Sequence, residues 1–226
     1  MNDALKLFPK NTAAFLNKLK KNNNREWFEA NRELFNSDFL APAVQFVAEM
    51  GEKLITLDPE IMAIPKTDKS IFRLHRDVRF SKNKEPYKTN MGLFFWNGRK
   101  KKMDGSGFYF HLEPKYFFVG VGNYMFPKDL LKKFRDVVAD SGSGKELDLI
   151  VKRLKKKGFN LGGKKFKKVP RGYDPASPCA EYLLHDGIHV YYEEKDLKKL
   201  TNNPVDYVFR LFKEMQPLHQ WLVKRI

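Results

Sequence analysis

The sequence predicts an α+β fold, with a central antiparallel sheet on which N-terminal and C-terminal helices pack. Apolar residues recur at helical spacing before residue 60 and after residue 127, and the period changes to two in between. The strand-like segments are joined by short connections, which favours antiparallel pairing. With 226 residues, no internal repeat and no evident linker, we expect one domain over residues 1–226. It would be helical in 1–60, form the sheet in 70–125, and be helical with a short strand in 127–226.

Three helices are predicted before residue 60, over residues 12–20, 23–35 and 38–57. Asn23 precedes Glu26 by three residues, which is typical of a capping box at the start of the second helix. Asp38 and Pro42 suit the beginning of the third. In the second helix we expect Trp27, Phe28, Leu34 and Phe35 in the core. The apolar residues of the third recur at helical spacing; they are Val44, Val47, Met50 and Leu54.

Strands are predicted over residues 70–80, 91–96, 108–113 and 116–121. The first alternates, so that one face would carry Phe72, Leu74, Val78 and Phe80, and the other Arg73, His75, Asp77 and Arg79. The second is apolar on both faces, which is typical of a strand covered on both sides. The third alternates again, with Phe108, Phe110 and Leu112 inward and Tyr109, His111 and Glu113 outward.

The C-terminal part reads as helices with little sheet. Helices are predicted over residues 127–139, 145–157 and 204–226, the last bent at Pro217. Residues 141–144 are expected to form a flexible turn, residues 162–178 to be irregular, and residues 187–193 to add one short strand.

The net charge of +16 is concentrated in two segments. Residues 69–102 carry eleven Lys or Arg against two acidic residues, and residues 141–172 carry the same numbers. The rest of the chain has a small acidic excess, so the positive charge is local and can attract polyanions. A solvated lysine-rich surface is the other interpretation of the lysine runs.

The compartment is predicted from what the chain lacks. The N-terminal residues show no signal-peptide hydrophobic stretch, and no run of 18 apolar residues suggests a membrane helix. The single cysteine, Cys179, cannot form an internal disulfide and is interpreted as structural. We therefore expect a cytoplasmic protein that does not contact a membrane.

The candidate site begins in the arginine-dense segment that follows Ser70. Strand alternation would place Arg73 and Arg79 beside Asp77 on one face, either as a structural ion pair or as a fork ready for an oxyanion. Arg76 would fall on the apolar side and need a buried partner. The positive charge exceeds what Asp77 and Glu85 can neutralise, which favours anion binding. The predicted anion-binding residues are Arg73, Arg76, Arg79, Lys82, Lys84, Tyr87 and Lys88.

A second polar group lies on the predicted strand at residues 108–113. If Tyr109, His111 and Glu113 share a face with Arg73 and Arg79, the sheet could support general acid–base chemistry on a phosphorylated substrate. The candidate catalytic residues are then His111, Glu113 and Asp77. The alternatives are anion binding without catalysis and a hydrogen-bonded sheet face with no chemistry.

Other motifs are weaker. Residues 141–145 resemble a phosphate loop, but they follow a helix, and Glu146 stands where a magnesium-binding Ser or Thr belongs. His185 and His189 would share one face of a strand, but no third metal ligand is evident. We therefore predict neither a metal site nor a cofactor.

Four sequence blocks together resemble a widespread bacterial and fungal family catalogued as a conserved domain of unknown function. They are residues 23–28 (NNREWF), the block FRxxRDxRFSKxKxPYKTN over residues 72–90, residues 111–114 (HLEP) and residues 170–173 (PRGY). The match covers nearly the whole chain in order. The resemblance implies one intracellular domain and brings no established activity or catalytic residues.

The sequence leaves three functions open. The first is binding of a phosphate-bearing or other anionic small molecule through the Arg/Lys-rich segment, either as a binding domain or as an enzyme. The alternative is a nucleic-acid-binding module that uses both basic segments as one surface. A structural or protein-partner role is the third. The oligomeric state is not predicted.

Overall fold

The computed structural model describes residues 3–226 and confirms the α+β class. The α-helices are α1 (Lys10–Lys21), α2 (Arg25–Ala30), α3 (Arg32–Phe35), α4 (Ala41–Leu54), α5 (Lys128–Ala139), α6 (Ser141–Lys156) and α7 (Pro204–Arg225). A π-helical segment, Asn36–Leu40, joins α3 to α4, and short 3₁₀ helices span Ala180–Leu184 and Leu197–Leu200. The strands are β1 (Ile61–Met62), β2 (Met91–Asn97), β3 (Gly107–Glu113), β4 (Tyr116–Asn123), β5 (Asn160–Lys164) and β6 (His185–Glu194). They form one antiparallel sheet in the order β1-β2-β3-β4-β6-β5.

The chain divides into two compact units, and several strands contribute residues to each. The first contains the residues up to Phe95 together with Tyr109–Val119 and Glu193–Arg210. The second contains Trp96–Phe108, Gly120–Tyr192 and Leu211–Ile226. That all of these residues make a single folding domain stays a prediction.

The core of the first unit is aromatic. The Phe46 ring stacks on Phe110 of β3 at 4.9 Å between centroids, and Phe8 lies 6.0 Å from Phe46. Phe110 and Leu112, which were predicted to face inward from β3, are fully buried, as are Val47, Met50 and Leu54 of α4. Val44 is 37% exposed and lies on the outer side of α4. The core prediction for the second helix is confirmed only at Phe28; it is wrong for Trp27, Leu34 and Phe35, which are only partly buried.

The predicted capping box does not form, because the N-cap of α2 lies one residue further along the chain. Asn24, not Asn23, caps α2, and its side chain accepts a hydrogen bond from the Trp27 N–H at 2.8 Å. Asn23 instead bonds to the backbone of Tyr87 in both directions: its Nδ2 donates to the carbonyl at 2.9 Å, and its Oδ1 accepts from the N–H at 3.0 Å. This amide therefore ties the turn before α2 to a segment 64 residues away in the sequence.

Residues 70–80 are not the regular strand that the alternation predicts. The segment bonds to β2 at its start, where the Phe72 N–H donates to the Gly92 carbonyl at 3.0 Å. It then folds back on itself: the Arg76 N–H donates to Pro86 at 2.8 Å and the Lys88 N–H to Leu74 at 2.7 Å. Only isolated bridges form along it. We call residues 70–88 the cationic arm.

A local turn at Asp77 and Arg79 explains why the tip of the cationic arm does not pair with the sheet. Asp77 accepts from the backbone N–H of Arg79 at 3.2 Å and from its guanidinium, a local turn that competes with strand pairing. Phe80, predicted to face inward, is 96% exposed. The alternation in this segment therefore does not continue into a sheet.

In the second unit, two predictions change. Residues 141–144 are not a flexible turn, because α6 begins at Ser141 and Asp140 caps it by accepting from the Ser143 N–H at 2.8 Å. Residues 160–164, partly assigned as irregular, form β5, which pairs with β6 in the register Asn160↔Tyr191 and shifts between Gly162 and Lys164. No helix within residues 3–226 is both long enough and apolar enough to cross a membrane.

Candidate functional site

Lys88 and Arg76 are the two cations of the cationic arm that are partly buried, and Lys88 lies over an aromatic ring. Its side chain is half-buried, and its Nζ lies 5.6 Å from the centre of the Phe72 ring. Within the described residues 3–226, no carboxylate oxygen lies within 4.0 Å of this Nζ. Burial lowers the pKa of Lys88, and the positive charge of Arg73 lowers it further, while Asp68 opposes the shift. The lysine is thus a partly desolvated cation with no carboxylate at ion-pair distance among the described residues.

Arg73 and Arg76 are held beside this lysine by weak ion pairs. The Nε of Arg73 lies 3.9 Å from an Asp68 carboxylate oxygen, and Nη1 of Arg76 lies 3.6 Å from Glu85. Strong guanidinium–carboxylate bonds are about 2.8 Å long, so neither pair satisfies its arginine fully. The partner expected for Arg76 exists, but Glu85 is half-exposed rather than buried, because the cationic arm runs along the surface.

The remaining predicted cations lie at the exposed tip. Arg79 makes a two-pronged bond to Asp77, with Nε–Oδ1 at 2.9 Å and Nη2–Oδ2 at 2.7 Å, and this bond lowers the pKa of Asp77. The Arg79 side chain is 77% exposed. Lys84 donates to the Val78 carbonyl at 3.0 Å, and Lys82 points to solvent. The predicted row of Arg73, His75, Asp77 and Arg79 on one strand face is wrong, because no strand extends through these residues.

Tyr87 is a buried residue whose packing holds the neighbouring Lys88 segment in place. Its side chain is 2% exposed and stacks on Phe28 with the ring centroids 4.3 Å apart. The edge of His75 contacts the same ring at 4.9 Å. The anion contact of Tyr87 stays a prediction; its ring is packed in the first unit, where it anchors the segment that carries Lys88.

The outward face of β3 carries a polar network, formed by Asn90, Tyr109, His111, Glu113 and Tyr116, which we call the His111 network. Tyr109 Oη lies 3.0 Å from His111 Nδ1, and His111 Nε2 lies 3.5 Å from Glu113 Oε1. Tyr116 donates to the same carboxylate oxygen at 2.9 Å, and Asn90 Nδ2 lies 3.5 Å from His111 Nδ1. The predicted outward orientation of Tyr109, His111 and Glu113 is confirmed.

Burial sets the protonation of the His111 network. It lowers the pKa of His111, an effect that the Glu113 carboxylate partly offsets. Burial and the bond to Glu113 raise the pKa of Tyr116 to about 12, so that its hydroxyl stays a donor. Near neutral pH, His111 is thus uncharged and can accept a proton at one ring nitrogen.

Aromatic rings connect the two parts of the site. Phe72, under the Lys88 ammonium, meets the edge of Tyr109 at 6.0 Å, and Phe118 stacks on His111 at 4.5 Å. Gly92 of β2 makes room for them, because a Cβ at this position would lie 2.8 Å from Tyr109 Oη. Lys88 therefore adjoins the His111 network through Phe72, whereas Arg79 and Asp77 bond to each other in the exposed tip.

A substitution of His111 should change how stability responds to acid. The folded-state pKa of His111 lies below its ordinary value of 6.5, so the unfolded chain binds more protons, and stability falls as the pH decreases through and below 6.5. His185 and His189, whose pKa values burial also lowers, act in the same direction.

We expect His111→Gln to lose less unfolding free energy between pH 7 and pH 5 than the wild type. Urea denaturation at both pH values measures this difference, and His75→Gln, whose histidine is exposed, is the matched control. Parallel losses in wild type and His111→Gln would contradict the buried, neutral state of His111.

The described residues contain no group of three or more His, Cys, Asp or Glu side chains arranged to hold a metal ion. His185 and His189 both lie on β6, and the Nδ1 of His185 is 3.2 Å from the Glu181 carbonyl. Cys179 is buried, and burial raises the pKa of its thiol, as expected for a structural cysteine.

Sequence reasoning missed what separates Lys88 from the other cations, namely its position over Phe72. It also missed the bonds from Asn23 to the Tyr87 backbone, which place the end of the cationic arm. The only sequence signal for either was the proline at position 86, which marks a turn that returns the chain toward β2.

Comparison with known proteins yields one match. Residues 11–221 match the family described as conserved hypothetical protein (DUF2461). No curated protein matches the chain, and no solved structure matches it. The resemblance inferred from the four sequence blocks is thereby confirmed, and the chain belongs to the DUF2461 family of conserved hypothetical proteins.

Proposed function

We propose that the protein binds a phosphate-bearing small molecule through Lys88, Arg73 and Arg76, beside the His111 network. The observation that carries this proposal is Lys88, a half-buried ammonium with no carboxylate at ion-pair distance among the described residues. Leaving a desolvated cation without a counter-ion costs free energy, which a bound anion would recover. The long ion pairs of Arg73 and Arg76 leave both guanidiniums able to turn toward the same anion.

The charge and the rings around Lys88 favour an organic phosphate over a simple carboxylate. Three cations suit a group that carries up to two negative charges and three acceptor oxygens. Phe72 supplies aromatic surface next to Lys88 and Phe118 next to His111, which a base or another apolar moiety could cover. Nucleotides and sugar phosphates are therefore the ligands to test first.

His111 and Glu113 give the site a route to proton transfer. A neutral, partly buried histidine beside a carboxylate can accept a proton from a substrate that lies within hydrogen-bond reach. His111→Gln would separate binding from catalysis, because glutamine preserves hydrogen bonding but cannot act as the base. If the protein is an enzyme for its ligand, this variant binds the ligand and turns it over much more slowly.

A thermal-shift screen tests the binding proposal. Wild type and Lys88→Met are heated with nucleotides, sugar phosphates and inorganic anions, since a ligand that binds only the folded state raises the melting temperature. We expect at least one phosphate compound to stabilise the wild type and not Lys88→Met. Stabilisation of both proteins by the same compounds to the same extent would reject this site.

The second candidate function, which we propose on the strength of Phe80, is binding to single-stranded nucleic acid. Phe80 is 96% exposed in the basic tip, and the Arg79 guanidinium lies 5.9 Å from its ring centre. Exposed aromatic rings among cations are typical of surfaces on which bases stack.

Phe80→Ala should weaken binding to a single-stranded oligonucleotide by about tenfold at low salt, the loss of one stacked base. Fluorescence anisotropy measures the affinity, and Tyr124→Ala, which removes another exposed ring, is the control. Absence of oligonucleotide binding by the wild type at low salt would remove this candidate.

A further inference from the structure

A small polar cavity lies within the second compact unit. Its volume is about 120 Å³, and its walls come from the β2–β3 connection, the end of β4, α5 and the last turn of α7. Pockets for drug-sized ligands are about 300–1,000 Å³. The cavity therefore has room for a small ion or molecule only.

The lining of this cavity is positive. Four basic residues contribute to it, Arg99, Lys100, Lys133 and Lys224, against the single carboxylate side chain of Asp104. Lys133 also donates to the backbone oxygen of Ile226 at 2.9 Å. The electrostatic preference of the cavity is consequently for an anion.

Asn123, which also lines the cavity, has a buried hydrogen-bond acceptor that needs a donor. Its side-chain amide is 2% exposed, and Nδ2 donates to the Asp104 carbonyl at 2.9 Å. Because a carbonyl can only accept, this bond fixes which end of the amide is nitrogen. The other end, Oδ1, is buried and has no hydrogen-bond partner among the described residues. A buried acceptor of this kind is costly until a donor reaches it.

Ser106 and His219 form a third polar feature of the site. Ser106 lines the cavity, and its Oγ lies 2.9 Å from Nδ1 of His219, with both residues buried. Either atom can be the donor, so the serine oxygen can accept from a ligand or donate to it. The pair therefore adapts to whichever group a small anion presents.

We propose that this cavity binds a small oxyanion that itself carries a hydroxyl proton, as hydrogen phosphate does. The basic residues would meet the negative oxygens, and the O–H of the anion would donate to Asn123 Oδ1. Sulfate has nearly the same size and charge but carries no proton at neutral pH, so its oxygens would face the unpaired acceptor and be repelled. The cavity thus selects by protonation and not by charge alone. This site is separate from the one proposed at Lys88.

Nuclear magnetic resonance of the full chain tests this site. Inorganic phosphate and sulfate are titrated at matched ionic strength, and the side-chain NH₂ signal of Asn123 and the backbone N–H of Ser106 are followed. We expect saturable shifts with phosphate and at least about tenfold weaker binding of sulfate, the cost of an unsatisfied buried acceptor. Equal responses to the two anions, or no saturable response to phosphate, would overturn the proposal.

Variants separate this site from the one on the cationic arm. Lys100→Met, which removes a lining cation, should weaken phosphate binding at Asn123, whereas Lys101→Met, an exposed neighbour outside the lining, should not. In the Lys88→Met variant, phosphate should still shift the Asn123 signal, because Lys88 does not line the cavity. Loss of that response in the Lys88→Met protein would overturn a binding site in the cavity.

Discussion

Lys88→Met should lower the affinity for the stabilising phosphate compound by about 10- to 100-fold, the loss of a charge-assisted hydrogen bond. Methionine has an unbranched apolar side chain like the stem of lysine, so the substitution removes the charge and little packing. Isothermal titration calorimetry with the compound identified by the thermal-shift screen measures the loss.

Lys82→Met is the matched control for that experiment. Both lysines belong to the cationic arm, and the two variants have the same net charge, but Lys82 is exposed at the tip whereas Lys88 is half-buried. We expect the Lys82 variant to bind within about twofold of the wild type, the scale of a screened surface charge. Equal losses for the two variants would mean that diffuse charge, and not an enclosed site, attracts the anion.

Gly122→Ala should cause a large loss of stability, because the added methyl group has no room in the sheet. Gly122 of β4 has φ +135°, and a Cβ there would lie 2.3 Å from the Ile188 carbonyl oxygen of β6 and 2.7 Å from the His189 Cα. These are backbone atoms, so no side-chain rotation can relieve the contact. We expect a loss of about 3 kcal/mol or more in the free energy of unfolding.

Gly158→Ala separates backbone strain from steric contact. Gly158 also has positive φ, +87°, but an added Cβ would meet nothing within 4 Å. Gly158→Ala should lower the free energy of unfolding by about 1–2 kcal/mol, which is the cost of the left-handed conformation alone. Urea denaturation of both variants gives the comparison, and similar losses would contradict the close approach of β4 and β6.

Sequence patterns predicted the structure correctly where only one arrangement of the chain explains the pattern. In β3, one face meets the core and the other does not, so the alternation of Phe108, Phe110 and Leu112 with polar residues reports the strand correctly. Residues 70–80 alternate in the same way, yet the Asp77–Arg79 turn ends any strand there. Alternation records which residues could face one side, and it does not show whether a neighbouring strand is present to pair with them.

The sequence identified which residues belong to the candidate site, but it did not show how they are placed relative to one another. The density of cations identified the cationic arm, and the period of β3 identified His111 and Glu113. What distinguishes Lys88 from Lys82 is burial over Phe72, and this depends on bonds between distant residues such as Asn23 and Tyr87. Long-range contacts of this kind leave no local pattern in a single sequence.

The most direct test of the central claim is the pKa of Lys88 itself, measured by NMR on its side chain with and without inorganic phosphate. Without phosphate, Lys88 should titrate below the ordinary lysine value of 10.5, because burial and Arg73 disfavour its charge. Bound phosphate should raise that pKa, since an adjacent anion stabilises the ammonium. A Lys88 pKa that phosphate leaves unchanged, while it is present at saturating concentration, would contradict an anion site on the cationic arm.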